Sequence, residues 1–208
     1  MTHIFVTEIP EISNETFQRL LPKVSLERQS KIARIKQYTQ KCESLMAEIL
    51  CRVVLVQNFG MEEKDIIIKK TAQGKPFLSD SGLFISLSHT DGMVAVAVSD
   101  CEVGVDIERT KLVDLKIAKR FFTDSEQDYV FESDDATDRF FEIWTKKEAY
   151  IKKIGKGLST DIGVCTIENA ECFKTFKHGE YTVSVCTDPV LEVKGLIFCN
   201  LLESFEIV

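Results

Sequence analysis

The chain has 208 residues, of which 44% are hydrophobic and 28% charged, and its formal net charge is −7. That composition suits one large or two small globular domains with proper cores and excludes an intrinsically disordered chain. The acidic balance argues against a general nucleic-acid binder, and no run approaches the ~18 apolar residues needed to span a bilayer. The start, MTHIFVTEIPEIS, has neither the basic nor the apolar region of a leader, so a cytoplasmic protein with no nucleic-acid or membrane partner is expected. The seven cysteines are scattered, with no Cys-x-x-Cys pair, which fits reduced thiols better than disulfides or a zinc site.

In chain order, the spacing predicts a helical segment over Ser25–Gln57. Between Arg19 and Lys41 lie seven basic residues, Arg28 and Lys31 among them, against the single acid Glu27. A basic segment on an acidic protein points to a compact anionic ligand, although each of these side chains alone reads as part of a solvated helix face. Strands are expected at Ile66–Lys69, Leu83–Leu87 and Met93–Val98, the last two joined through the hairpin signal Asp91-Gly92. In TAQGKPFL the Gly74-Lys75-Pro76 turn sets Lys75 on a stiff loop, and ISLSHT ends in Ser88 and His89, a hydroxyl and an imidazole able to donate to phosphate oxygens. An exposed turn lysine and a simple strand cap are the plainer alternatives. A strand over Val103–Glu108 follows, then helices at Leu115–Phe122, Asp124–Phe131 (capped by Thr123 or Asp124) and Thr137–Ile154. Strands at Gly163–Ile167, Glu180–Thr187 and Leu191–Leu202 complete the chain, so helix followed by strands occurs twice without a residue-level repeat.

Three acids stand where acids are costly. In VGVDIER, Val103, Val105 and Ile107 fall on one face of a strand and Asp106 and Glu108 on the other, about 7 Å apart. In FFEIWTKKEAYIKKIGKGL, Phe141, Trp144, Glu148 and Ile151 share a sector of roughly 80° on a helical wheel, which puts Glu148 inside the apolar stripe. An unpaired carboxylate there loses hydration unless it is protonated, paired or bound to a metal. Lys152, one turn on, is a candidate partner for an intrahelical ion pair. Taken together, Asp106, Glu108 and Glu148 make an all-oxygen donor set, which favours Mg²⁺ (or Mn²⁺) over zinc and, with basic residues nearby, points to phosphoryl-transfer chemistry.

In this order, GKPFL, SLSHT, VGVDIE and the Trp-Thr-Lys-Lys-Glu-Ala-Tyr helix resemble the signature of the surfactin-type 4'-phosphopantetheinyl transferases, from Leu26 to Leu158 and including FFTDSE at 121–126. The resemblance implies a monomer with an α+β fold of two similar halves, 1–102 and 103–208, related by a pseudo-twofold axis. It also implies coenzyme A and Mg²⁺ in the cleft between the halves, and transfer of the phosphopantetheine arm to a serine of an apo acyl, peptidyl or aryl carrier protein, releasing adenosine 3',5'-bisphosphate. By the same resemblance Asp106, Glu108 and Glu148 hold the metal, while Lys152 and His89 meet coenzyme A phosphates. Ser88 and Lys75 seat the nucleotide end, and Arg28 and Lys31 reach the same ligand. Glu148, or a water beside it, is the candidate base for the carrier serine, a pure ligand role being the alternative. One position departs from the pattern: the helix after the basic pair usually carries an arginine facing the 3'-phosphate, and here Glu43 stands near that place. Glu126 resembles a position near the carrier-docking edge, with a favourable charge in a helix's first turn as the alternative. Phe121 and Phe122 are expected either in an apolar docking patch or in the core. The rival functions are a Mg²⁺-dependent phosphohydrolase and a non-catalytic module that binds coenzyme A or a carrier.

Overall fold

In a computed structural model that describes residues 1–155, 170–188 and 193–199, strand β1 (Thr2–Glu8) lies inside a four-stranded sheet of order β4-β5-β1-β9. The other strands of that sheet are the hairpin strands β4 (Phe84–Thr90) and β5 (Met93–Ser99) and the late strand β9 (Val193–Phe198). β1 runs antiparallel to β5, Thr2 opposite Ser99 and Glu8 opposite Met93, and parallel to β9. The hairpin turn falls at the expected Asp91-Gly92, both with positive φ (36° and 85°), as a turn matched to strand twist requires.

The alternation of β1 and β5 sends side chains to two cores. Phe5, Val94, Val96 and Val98 face α3 (Tyr38–Phe59), whose Leu45, Ile49 and Val53 are fully buried. Ile4, Val6, Met93, Ala95 and Ala97 instead meet Val103, Val105 and Ile107 of β6 (Gly104–Arg109) and Val183 and Val185 of β8 (Tyr181–Cys186). β6 and β8 belong to a three-stranded antiparallel sheet completed by β7 (Phe173–His178). The far side of that sheet is covered by α6 (Ala136–Ile154), with Thr145 and Ser184 joined by a 2.7 Å hydrogen bond. The result is a helix-sheet-sheet-helix stack in which β9, late in the chain, completes the sheet built on β1, β4 and β5, and the mixed α+β class is as expected.

Small elements fill in around it: α1 (Asn14–Leu20), α2 (Leu26–Arg34), the β2 (Ile68–Lys70) and β3 (Pro76–Leu78) ribbon, α4 (Lys116–Phe121) and α5 (Asp124–Phe131). The single helix expected over Ser25–Gln57 is in fact two. Ile35 and Gln37 take extended backbone, which lets α2 fold back on α3. Strands β1 and β7 and helix α1 were not expected from the sequence, and the expected strand at 163–167 lies outside the described residues.

At two positions of the second half the structure takes the plainer of the two alternatives. Glu126 is 7% exposed, closes a capping box with Thr123 and stands 2.8 Å from Lys147, itself fully buried, so it is a structural acid and not part of an exposed docking edge. Phe122 stacks on Phe140 in the small core under α4 and α5, and Phe121 meets Trp144 edge-on. The described cysteines are free thiols.

Candidate functional site

Where the two sheets meet, β4 lays alternate side chains against β6. The backbone N–H of Val105 donates to Ser86 Oγ at 3.0 Å, Ser88 donates to Asp106 Oδ1 at 2.8 Å, and Thr90 donates to Glu108 Oε2 at 3.1 Å. The period of two in each strand turns one favourable contact into a ladder of three. α6 brings the remaining groups from the other side. Gly104 makes that approach possible: a Cβ there would sit 1.8 Å from the carbonyl oxygen of Ala149.

The enclosed space is a cleft of about 470 Å³. Its walls include Arg28, Lys31, Lys75, Ser88, His89, Asp106, Glu108, Glu148 and Lys152, that is, every site residue expected from the sequence. They arrive from α2, the β2-β3 turn, β4, β6 and α6, segments remote in the chain. In the turn, Gly74 has φ +91° and its N–H donates to the Thr71 carbonyl, while the Lys75 ammonium reaches Glu102 and the Lys153 carbonyl. Gly155, left-handed at the end of α6, lies against the Lys75 stem, where a Cβ would come within 2.9 Å of its Cδ.

The carboxylates differ sharply in their surroundings. Asp106 is 4% exposed; its Oδ1 accepts from Ser88 and, at 2.7 Å, from Lys152 Nζ, while its Oδ2 has no hydrogen-bond partner among the described residues. Burial, and then the charge of Asp106, push Glu108 up to about 7. The same two causes, in the same order, raise Glu148 above the usual carboxylate range. The intrahelical pair of Glu148 with Lys152 does not form, because Lys152 crosses to Asp106 and Ser88, both at 2.7 Å. Among the described residues Glu148 has no hydrogen bond or ion pair. Nor do any three acidic, histidine or cysteine side chains stand close enough among the described residues to form a ready ligand set for a metal. The chemistry of the donors nevertheless fits a hard cation: an orphaned buried carboxylate oxygen and two acids that resist ionising in its absence.

On the basic side, Arg28 is buried and held by Glu48, 3.2 Å from its Nε, and by Ser44. Glu48 is 1% exposed and also accepts from the Ser25 N–H and hydroxyl and from Arg52. His89 Nδ1 stands 3.3 Å from Glu43, close enough for an ion pair but off the line of a hydrogen bond; with the Gly92 N–H the imidazole holds that carboxylate below its usual range. Sequence reasoning missed Ser86, Thr90, Lys70 and Glu48. Glu48 was within reach: it interrupts the apolar run SLMAEILCRVV with Arg52 one turn later, the same signal that marked Glu148.

Residues 11–101 match the sequence family described as 4'-phosphopantetheinyl transferase, N-terminal, and residues 102–189 match the 4'-phosphopantetheinyl transferase superfamily. The chain is 38% identical over 159 residues to the 4'-phosphopantetheinyl transferase gsp of Aneurinibacillus migulanus, covering 74% of this chain and 66% of that one. It is 32% identical over 151 residues to the 4'-phosphopantetheinyl transferase Sfp of Bacillus subtilis (71% and 67%). Against the L-aminoadipate-semialdehyde dehydrogenase-phosphopantetheinyl transferase of Saccharomyces cerevisiae it is 30% identical over 181 residues (77% and 65%). The matched part thus makes up about two thirds of each relative. With both halves matched in succession around this cleft, the chain belongs to the 4'-phosphopantetheinyl transferase superfamily.

Proposed function

We propose that the cleft binds coenzyme A and transfers its 4'-phosphopantetheine arm to a serine hydroxyl of an apo carrier protein, releasing adenosine 3',5'-bisphosphate. The observation that carries this reading is the meeting, in one cleft, of three acids from two elements with basic residues from four segments. A diphosphate needs both: cations for its oxygens, and a carboxylate set for the divalent ion that accompanies it.

Asp106, Glu108 and Glu148 would hold Mg²⁺ or Mn²⁺, which when bound supplies neutralising charge to the diphosphate. Lys152, held on Asp106 and Ser88, would serve the phosphate oxygens from α6. His89 and Ser88 donate from the end of β4 to the same ligand, Lys75 steadies the nucleotide from its turn, and Arg28 and Lys31 contribute charge from α2. The serine oxygen attacks the phosphorus bearing the pantetheine; the new O–P bond forms as the bond to the bridging oxygen breaks, and that oxygen leaves on the nucleotide. The serine proton goes to a carboxylate oxygen of Glu148, which makes no side-chain hydrogen bond or ion pair among the described residues and faces the cleft. The enzyme acts as a cytoplasmic monomer on acyl, peptidyl or aryl carriers, without nucleic acid or membrane.

Incubation with coenzyme A, Mg²⁺ and an apo carrier protein, read by intact mass, tests the reading. A carrier heavier by one phosphopantetheine is expected. Phosphate release without carrier modification would assign a phosphohydrolase, and binding without either would assign a non-catalytic module.

A further inference from the structure

Strand β4 is the border of its sheet, and its alternation divides its side chains between two neighbours. Ser86, Ser88 and Thr90 turn to β6, whereas Ile85 and Leu87 pack into the core with α3, and His89 follows them in register. On that side α3 presents Glu43 in its second turn. Its Oε2 stands 3.3 Å from His89 Nδ1, and its Oε1 accepts from the Gly92 N–H at 3.2 Å. One carboxylate, itself largely buried, thus ties the start of α3 both to the end of β4 and to the hairpin turn.

The contact selects between the two nitrogens of the imidazole. Nδ1 is shielded from water and makes no hydrogen bond with a described residue, so the charge it faces decides its state. A ring nitrogen that turned its lone pair toward a carboxylate would be repelled, which places a proton on Nδ1. The two nitrogens lie on different edges of the ring. With Nδ1 turned to α3, Nε2 is the one left for the cleft, whose wall contains His89, while Glu43 stands behind it. Nε2 can then donate to a phosphate oxygen when the ring carries both protons, and Glu43 balances that charge from the rear. The other charges around β4 are engaged elsewhere. Asp106 and Glu108 lie on its opposite face, bonded to Ser88 and Thr90; Asp91 in the turn is 2.8 Å from Lys111; and neither β3 (PFL) nor β5 (MVAVAVS) carries a charge.

We propose that Glu43 is a positioning residue that holds the His89 ring with Nδ1 protonated and Nε2 directed into the cleft, so that the phosphates of coenzyme A meet a fixed imidazolium in place of a freely turning ring. This rests on the transferase reading.

The test is a double-mutant cycle read by calorimetric binding of coenzyme A to the wild-type protein, Glu43→Gln, His89→Ala and the double variant. Glu43→Gln keeps an acceptor for Gly92 and should weaken binding about fivefold, the scale of one hydrogen bond, and His89→Ala about tenfold. The double variant should bind within about twofold of His89→Ala alone, because Glu43 acts through the ring. Two-bond ¹H–¹⁵N spectra, with the His89 signals assigned by their loss in His89→Ala, should show both ring nitrogens protonated in the wild-type complex and a shift toward the neutral ring in Glu43→Gln. Additive losses, unchanged affinity in Glu43→Gln, or a neutral ring protonated at Nε2 in the wild-type complex overturns the positioning role and leaves the transferase reading standing. Failure of the wild type to bind coenzyme A overturns both.

Discussion

Ser88 gives its hydroxyl proton to Asp106 across the junction of the two sheets, at 2.8 Å, and in the same geometry accepts from Lys152. The serine fixes which oxygen of Asp106 is occupied and which is left free. Ser88→Ala should lower kcat/KM for carrier modification about tenfold, the worth of one oriented hydrogen bond. Lys152→Met should cost on the order of 100-fold, because a cation aimed at developing charge is lost with it. Unchanged turnover in Lys152→Met would remove that lysine from the phosphate contacts.

Glu148→Gln should abolish pantetheine transfer while leaving coenzyme A binding measurable by calorimetry. Excess chelator should act in the same way on the wild-type protein, and added Mg²⁺ should reverse it. Near-normal turnover of the glutamine variant would exclude Glu148 as base and as ligand alike.

Gly104 sets how closely β6 and α6 approach. A methyl group 1.8 Å from the Ala149 oxygen has nowhere to go except by separating strand from helix. Gly104→Ala is therefore expected to lose at least about 1–3 kcal/mol of stability and most of the activity, read by thermal melting and carrier modification. Gly195→Ala, where a Cβ meets nothing within 4 Å, is the control that should melt close to wild type.

Glu48 is the counter-charge to two buried guanidiniums. Glu48→Ala strands both and should cost about 3–5 kcal/mol, visible as a lowered denaturant midpoint. Glu48→Gln keeps the shape and one acceptor. It should fold, and should raise KM for coenzyme A more than it lowers kcat, since Arg28 loses its orientation and not its charge.

The pH dependence of binding follows from Lys31. Although the residue as a whole stays exposed, its ammonium titrates at about 8, against an ordinary 10.5. A bound phosphate favours the charged form and raises that value, so the complex holds more protons than the free protein near and above pH 8. Affinity for coenzyme A should therefore fall as pH rises through about 8. Proton uptake should accompany binding there, seen as a dependence of the calorimetric heat on buffer ionisation enthalpy. Lys31→Gln should reduce the uptake.

The sequence made some of this legible and hid the rest for physical reasons. The two-faced strand Val103–Glu108 and the acid in the apolar stripe of α6 were readable because burying one face enforces periodicity, and Thr123 was readable as a cap because its box partner lies three residues on. Intrahelical spacing could not reveal that Lys152 deserts Glu148 for Asp106, 46 residues away, since that choice is made by the sheet. The roles of Ser86 and Thr90 depend likewise on how β4 registers against β6, which no local pattern encodes. The choice between the two readings of Glu126 was not legible because its partner Lys147 arrives from another helix.

The first sheet is finished by β9, which lies along the open side of β1, the N–H of Cys199 bonding to the Val6 carbonyl at 3.0 Å. During synthesis β1 emerges long before β9, so the nascent chain carries an unpaired strand border while the ribosome is still translating the segment between them. Such a border templates association between chains. Split versions that end before residue 193 inherit it permanently, and would be expected to need the missing strand supplied in trans to stay in solution.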